Sequence, residues 1–333
     1  MAVKKVPTKK TPVKRRSPVR VVTQKESSAG FHFYNLHQCC QRKFYIKYIC
    51  RLTPMFVAPP LVQGSAFHEA KEVYYKTGVT KKAVDVAVAF IKKNQSTLEF
   101  KEDYDKILYR VPILILRWIE RFGEYDRKIY KFVAIERHFK VVLPHVDGVP
   151  DITVTIKPDA IVQEKGSKDI YIMETKTSGF QIETTNMGVQ TGDQATSYIY
   201  AVQKNLKKEV RGVIPDIAYW NKNAKTEDNI QIVRGDIVIR KDRDLEVWEK
   251  SVRQEFLEIS QKVEALKKGY DEDALFRRNT FYCMSYGKPC EFAHICRMSL
   301  KPGMDLPYGF ARYAHKKGEN LGTHTLDNTI GIS

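Results

Sequence analysis

Glu174 and Lys176 stand two residues apart in the segment 168–177 (KDIYIMETKT), where apolar and polar residues alternate. Period-two alternation puts Ile170, Ile172, Glu174 and Lys176 on one strand face, so an apolar face ends in a carboxylate and an amine about 7 Å apart. Residues 151–163 (DITVTIKPDAIVQ) read as the preceding strand, with Thr153, Thr155, Lys157 and Asp159 on a polar face. Pro158 marks an edge or a bulge there, and bulges re-aim side chains near sites. Paired as a hairpin, the two strands bring Asp159 and Glu174 together. Two converging carboxylates form an all-oxygen site suited to Mg2+ or Mn2+, ions that keep several waters and take one or two protein carboxylates. Lys176 would then face an attacking water or a phosphate and stabilise developing charge, which is the chemistry of phosphodiester hydrolysis. An isolated E-x-K is weak evidence, because a solvated strand end whose two charges simply pair has the same letters. The Pro158-Asp159 step, the intervening turn and the strand placement of both halves narrow it.

Pro158-Asp159 followed by Glu174-Thr175-Lys176 resembles the signature of the PD-(D/E)XK nuclease superfamily, and its surroundings resemble the RecB-type branch over about residues 30 to 300. Gly64-Ser65-Ala66-Phe67-His68 matches that branch's upstream G-x-x-x-H, and Gln194 with Tyr198 matches its downstream Gln and Tyr. The resemblance implies a restriction-endonuclease-like central mixed sheet flanked by helices. It also implies a metal held by His68, Asp159, Glu174 and Thr175, and a catalytic set of Asp159, Glu174, Lys176, Gln194 and Tyr198. Ser65 reads as an N-cap that places His68 in a helix's first turn, where the macrodipole favours a neutral imidazole. Gln194 and Tyr198, four apart, share a helix face. Glu136 reads as a surface salt-bridge residue.

Six cysteines occur at 39, 40, 50, 283, 290 and 296, and a reducing compartment favours ligation or buried thiols over disulfides. Cys283, Cys290 and Cys296 are spaced too loosely for a C-x2-C zinc knuckle. The sequence is similar to the RecB-type nucleases, including CRISPR-adaptation nucleases and AddB, that hold a 4Fe-4S cluster with one N-terminal and three C-terminal cysteines. That similarity implies Cys40, Cys283, Cys290 and Cys296 as ligands. Zinc suits four thiolates equally, and ordinary buried thiols are the plain alternative. Cys39 competes with Cys40 for the role, Gln41 stands where Pro is common after the first cysteine, and Cys50 reads as core.

The elements that must position these residues follow from periodicity. Helices are expected at 30–50, 64–77, 80–96 and 103–127, the last on the spacing of Ile115, Trp118, Ile119 and Phe122. Three consecutive strands follow at 130–143, 151–163 and 168–177, with turns at 145–150 and 164–167. A helix at 187–204, strands near 211–220 and 230–240, and a helix at 243–268 complete the order. This is an α/β, or α+β layered, architecture. One nuclease domain is expected over 28–300: a helical part to about 128, a catalytic sheet over about 129–268 and a loop-rich cysteine segment over about 270–300. A basic arm (1–27) precedes it and a tail (301–333) follows.

Fifty-six basic and 39 acidic side chains leave a formal charge of +17, which attracts polyanions. Nine basic residues and no acid lie in 1–25, so about +8 remains for the other 308. Pro7, Pro12 and Pro18 argue against a transit-peptide helix there, and leave a disordered arm that contacts nucleic acid, carries a nuclear localisation signal at Lys14-Arg15-Arg16, or merely aids solubility. No apolar run approaches the ~20 residues of a bilayer span, so no membrane partner is expected. The expected partner is DNA, as single strands or ends, with Arg42, Lys43 and Lys47 lining a strand path. The expected activity is a metal-dependent exonuclease of recombination, replication or repair. A non-catalytic nucleic-acid binder is the alternative, as is a subunit of a larger recombination assembly whose helicase is another chain. A prokaryotic or phage protein in the cytoplasm suits the lack of sorting signals, and a nuclear one if the source is eukaryotic. Oligomeric state is left open.

Overall fold

The structure, a computed structural model, describes residues 21–23, 30–143, 151–221 and 227–314. The chain runs β1 (Val21–Thr23), α1 (Phe31–Cys39), α2 (Gln41–Phe44), β2 (Leu52–Pro54), α3 (Pro59–Thr77), α4 (Thr80–Lys93), α5 (Lys101–Trp118) and α6 (Glu124–Ile129). It continues through β3 (Tyr130–Ile135), β4 (Phe139–Leu143), β5 (Ile152–Ile156), β6 (Ala160–Glu164), β7 (Ile170–Ser178), α7 (Ile182–Thr191) and α8 (Asp193–Leu206). It ends with β8 (Gly212–Trp220), β9 (Ile230–Arg234), α9 (Asp242–Lys267), α10 (Glu272–Leu275) and β10 (Phe310–Ala314).

A five-stranded mixed sheet, ordered β3-β6-β7-β8-β9, divides the molecule; β7 and β8 run parallel and the other neighbours antiparallel. Ala160, Val162, Met173, Ala218 and Ile232 face one core, closed by α3, α4 and α5 through Phe67, Tyr75, Ile91, Leu114 and Trp118. Ile161, Ile170, Ile172 and Val213 face a second core with α1, α8 and α9. The central strands β7 and β8 therefore bury both faces and carry no exposed residue, whereas the edge strands β3 and β9 do. The result is the layered α/β arrangement expected, with a mixed sheet between helices. No helix among the described residues is long and apolar enough to cross a membrane.

Several expected boundaries differ. The span 130–143 is two strands, not one, because Glu136 adopts φ +50 and turns the chain out of the sheet. The span 151–163 is likewise broken at Lys157–Asp159. β4 and β5 instead form their own hairpin, whose Phe139, Val141, Leu143, Ile152, Val154 and Ile156 pack into the second core. Thr153 and Thr155 therefore share no strand face with Asp159. The expected turn at 145–150 and the basic stretch at 14–16 lie outside the described residues, whereas the turn at 164–167 closes with Ser167 N–H donating to Glu164 O at 3.2 Å. The helix expected at 187–204 is two, parted at extended Gly192. Within the spans read as arm and tail, β1 pairs with β10, which also pairs with β2.

Candidate active site

The site forms where β6 and β7 meet. Ala160 stands opposite Met173, so the antiparallel register carries Asp159, one residue earlier, to Glu174, one residue later. Asp159 Oδ2 accepts from the Thr175 N–H at 2.7 Å, which fixes the carboxylate against β7. Its Oδ1 lies 3.1 Å from His68 Nδ1. The Glu136 N–H donates to the Asp159 carbonyl at 2.8 Å, and Glu136 Oε1 lies 3.5 Å from the same His68 nitrogen. Glu136 also pairs with Lys157. It is therefore part of the site, not a surface salt bridge. A left-handed non-glycine backbone at that position is strain of the kind that persists where surrounding contacts enforce it.

α3 supplies His68, but not as expected. The helix begins at Pro59, with prolines in its opening turn and Ala58 as cap, so Ser65 is interior and His68 lies in the third turn. The helix-terminal field does not set its charge. Burial disfavours the imidazolium, yet Asp159 and Glu136 outweigh it and raise the His68 pKa to about 10. The same contact holds Asp159 near 2 in spite of its burial. Without metal the pair is thus ionic, where the sequence led to a neutral ring. Gly64 explains how α3 comes so close: a Cβ there would stand 3.2 Å from Thr177 Oγ1 on β7.

Glu174 is buried at 3 % exposure. Burial and the neighbouring Asp159 raise its pKa, opposed by Lys176. Oε1 is 2.5 Å from Lys176 Nζ, while Oε2 is buried with no hydrogen-bond partner. Lys176 Nζ donates to Gln194 Oε1 at 2.8 Å, and Gln194 Nε2 donates to Tyr198 Oη at 2.7 Å, the i,i+4 pairing expected on α8. Burial pushes the Tyr198 phenol well above its usual range, so it stays neutral. Thr175 Oγ1 accepts from Lys71 Nζ at 2.7 Å. Lys71 was missed from sequence; its place three residues after His68 was the only local signal, since its partner Asp216 is 145 residues away.

A metal fits this donor set. The ligand atoms of His68, Glu136 and Asp159 all lie within 4.8 Å of one another, and the buried Glu174 Oε2 has no hydrogen-bond partner.

The cysteines lie away from this site, and among the described residues none belongs to a group of three or more possible ligand atoms within 4.8 Å. Cys40 links α1 to α2 in an extended conformation, and its Sγ accepts from the Asn279 N–H at 3.5 Å. Cys283 Sγ lies 4.0 Å from the Asn279 carbonyl, and the Cys290 N–H donates to the Cys283 carbonyl at 2.8 Å. Burial raises the Cys290 and Cys296 thiols, and Cys40 raises both further, as Cys283 does Cys296. Cys40 is buried and touches the C-terminal cysteine segment at Asn279, Cys39 is only half-buried, and Cys50 is a buried core thiol at 1 % exposure. Arg42 cannot line a strand path. It is fully buried and donates to the carbonyls of Cys296 (3.1 Å) and Met298 (2.6 Å), while Lys43 pairs with Glu291 at 3.0 Å.

A family model described as the PD-(D/E)XK nuclease superfamily matches residues 34–297, well over half the chain. No curated protein matches. Among solved structures, the crystal structure of SSO0001 is similar at 13 % identity over 82 % of this chain and 99 % of that one, with a TM-score of 0.28. LHK-Exo in complex with dAMP is similar at 15 % identity over 62 % of this chain and 94 % of that one, with a TM-score of 0.26.

Proposed function

Because this chain belongs to the PD-(D/E)XK nuclease superfamily, we propose that it is a divalent-metal-dependent DNA exonuclease acting on ends or single strands in recombination, replication or repair. Glu174 Oε2 carries the reading. A buried carboxylate oxygen without a donor is costly unless a cation meets it, and this one lies beside Asp159 and Lys176. His68, Asp159 and Glu174 would hold Mg2+ or Mn2+. Thr175 would add its main-chain carbonyl, since its hydroxyl already accepts from Lys71. Bound there, the metal lowers the pKa of a water and offsets charge on the scissile phosphate.

The side chains do the rest. Lys176 is aimed by Gln194 and would donate to the nucleophile or a phosphate oxygen as Glu174 turns to a cation. Tyr198, neutral and buried, fixes the Gln194 amide. Cys40, Cys283, Cys290 and Cys296 would hold a 4Fe-4S cluster, with Zn2+ as the other ion that four thiolates suit; the approach of Cys40 to Asn279, four residues before Cys283, supports the reading. A helicase or recombination partner would be a separate chain.

The test is anaerobic purification with an absorbance spectrum and iron assay, then cleavage of end-labelled linear and closed circular DNA with Mg2+ or Mn2+. Nucleotide release from ends, none from circles, and a loss of ~10²- to 10³-fold in Asp159→Ala and Lys176→Ala, in protein that still folds by circular dichroism, are expected. Full activity in both variants sinks the assignment. Cutting of circles replaces exonuclease by endonuclease, and binding without metal-stimulated cleavage points to a non-catalytic binder.

A further inference from the structure

Beneath the site lies a second lysine that no step above uses. Lys71, on α3, is 4 % exposed, and Asp216, on β8, is 1 % exposed. Lys71 Nζ donates to Asp216 Oδ2 at 2.6 Å and to Thr175 Oγ1 at 2.7 Å. Trp118 Nε1 donates to the same Asp216 oxygen at 2.7 Å, and Lys71 Nζ stands 4.5 Å from the centroid of that indole and 5.5 Å from the Tyr75 ring. Thr175 and Asp216 are register partners across the parallel β7–β8 ladder. One ammonium therefore ties α3, β7, β8 and α5 together at a single residue.

That residue is the one whose N–H binds Asp159 Oδ2. Its neighbours in the chain are Glu174 and Lys176. On α3, His68 is one turn before Lys71, so a shift of Lys71 moves the imidazole as well. A buried ion pair is poor value for stability: neutral replacements of similar volume are often as stable or more so. Its position suggests another use.

We propose that Lys71 is a positioning residue of the nuclease centre, clamping Thr175 through Asp216 and Trp118 so that Asp159, Glu174 and His68 are held in fixed register before any ion arrives. This rests on the reading of those three residues as metal ligands. Groups that orient ligands in this way usually change metal affinity or activity 10- to 100-fold when removed.

The double variant Lys71→Met with Asp216→Asn removes both charges, keeps a similar shape and leaves an amide oxygen for the Trp118 N–H. It should melt within ~5 °C of wild type. Its Mn2+ dissociation constant, read by titration calorimetry or by electron paramagnetic resonance of free Mn2+, should rise ~10-fold, and kcat should fall 10- to 100-fold with KM for DNA unchanged. Thr175→Val cuts only the link to β7 and should weaken Mn2+ similarly, with Thr175→Ser restoring it. Wild-type Mn2+ affinity and kcat in the double variant overturn the proposal. Should that variant not fold, a Thr175→Val protein indistinguishable from wild type overturns it instead. Wild-type protein that binds no Mn2+ in an Asp159-dependent way removes the metal-site reading itself, and this proposal with it.

Discussion

If His68 becomes a metal ligand, it must first give up its proton to solvent, because only neutral imidazole ligates. The Asp159 and Glu136 carboxylates hold that proton to about pH 10. At pH 7.5 the ion therefore displaces a proton held about 2 to 3 pH units below its pKa, on the order of 10²- to 10³-fold in apparent affinity. Mn2+ binding at pH 7.5 should release about one proton. Apparent affinity should climb close to tenfold per pH unit and level off near pH 10. Calorimetric titration in buffers of different ionisation enthalpy reads the proton count from the slope of heat against that enthalpy. In His68→Ala the release should vanish and the pH dependence flatten, with weaker binding at high pH. Wild-type protein that binds Mn2+ at pH 7.5 with no proton release, or an unchanged slope in His68→Ala, would refute both the ligand role and the ion-pair picture.

The same pair sets a stability profile in metal-free protein. Because the His68 pKa is raised above 6.5 to about 10, its stabilisation is complete below about pH 6.5 and is lost as pH rises toward 10. Melting temperature should fall across that window in EDTA, and less so in His68→Ala. Gln194→Ala frees Lys176 from its guide, and kcat should drop ~10-fold with little change in DNA binding, measured by single-turnover cleavage and fluorescence anisotropy. Cys290→Ser should lose bound iron, or zinc if that is the ion, and lower the melting temperature by several degrees, while Cys39→Ser should do neither.

Sequence made β7 legible because its alternation ends in charge at residues that carry the chemistry, and Pro158-Asp159 marked the facing turn. It misread the two preceding segments because each is apolar on both sides of a break that has no glycine. Nothing in Glu136 announces φ +50, and so the β4–β5 excursion was merged into its neighbours. Pro59-Pro60 was a readable helix start that the G-x-x-x-H match overshadowed. Arg42 looked like a surface cation because its partners, the carbonyls of Cys296 and Met298, are more than 250 residues away. Lys71 is invisible for the same reason. Composition treats a lysine as solvated, and only the folded chain brings Asp216 to it.

The Arg42 clamp also orders events during synthesis. Arg42 to Cys296, Tyr45 to Leu300 and His37 to Glu255 are separated by 254, 255 and 218 residues, so α1 and α2 cannot complete their packing until the cysteine segment exists. At a ribosome's pace of about 5–20 residues per second, Arg42 and Tyr45 wait roughly 12–50 s for those carbonyl partners. A high share of such remote contacts also slows folding after release. These helices are therefore made well before they are covered, and their aromatic face is where a nascent chain of this protein is open to chaperones and to aggregation.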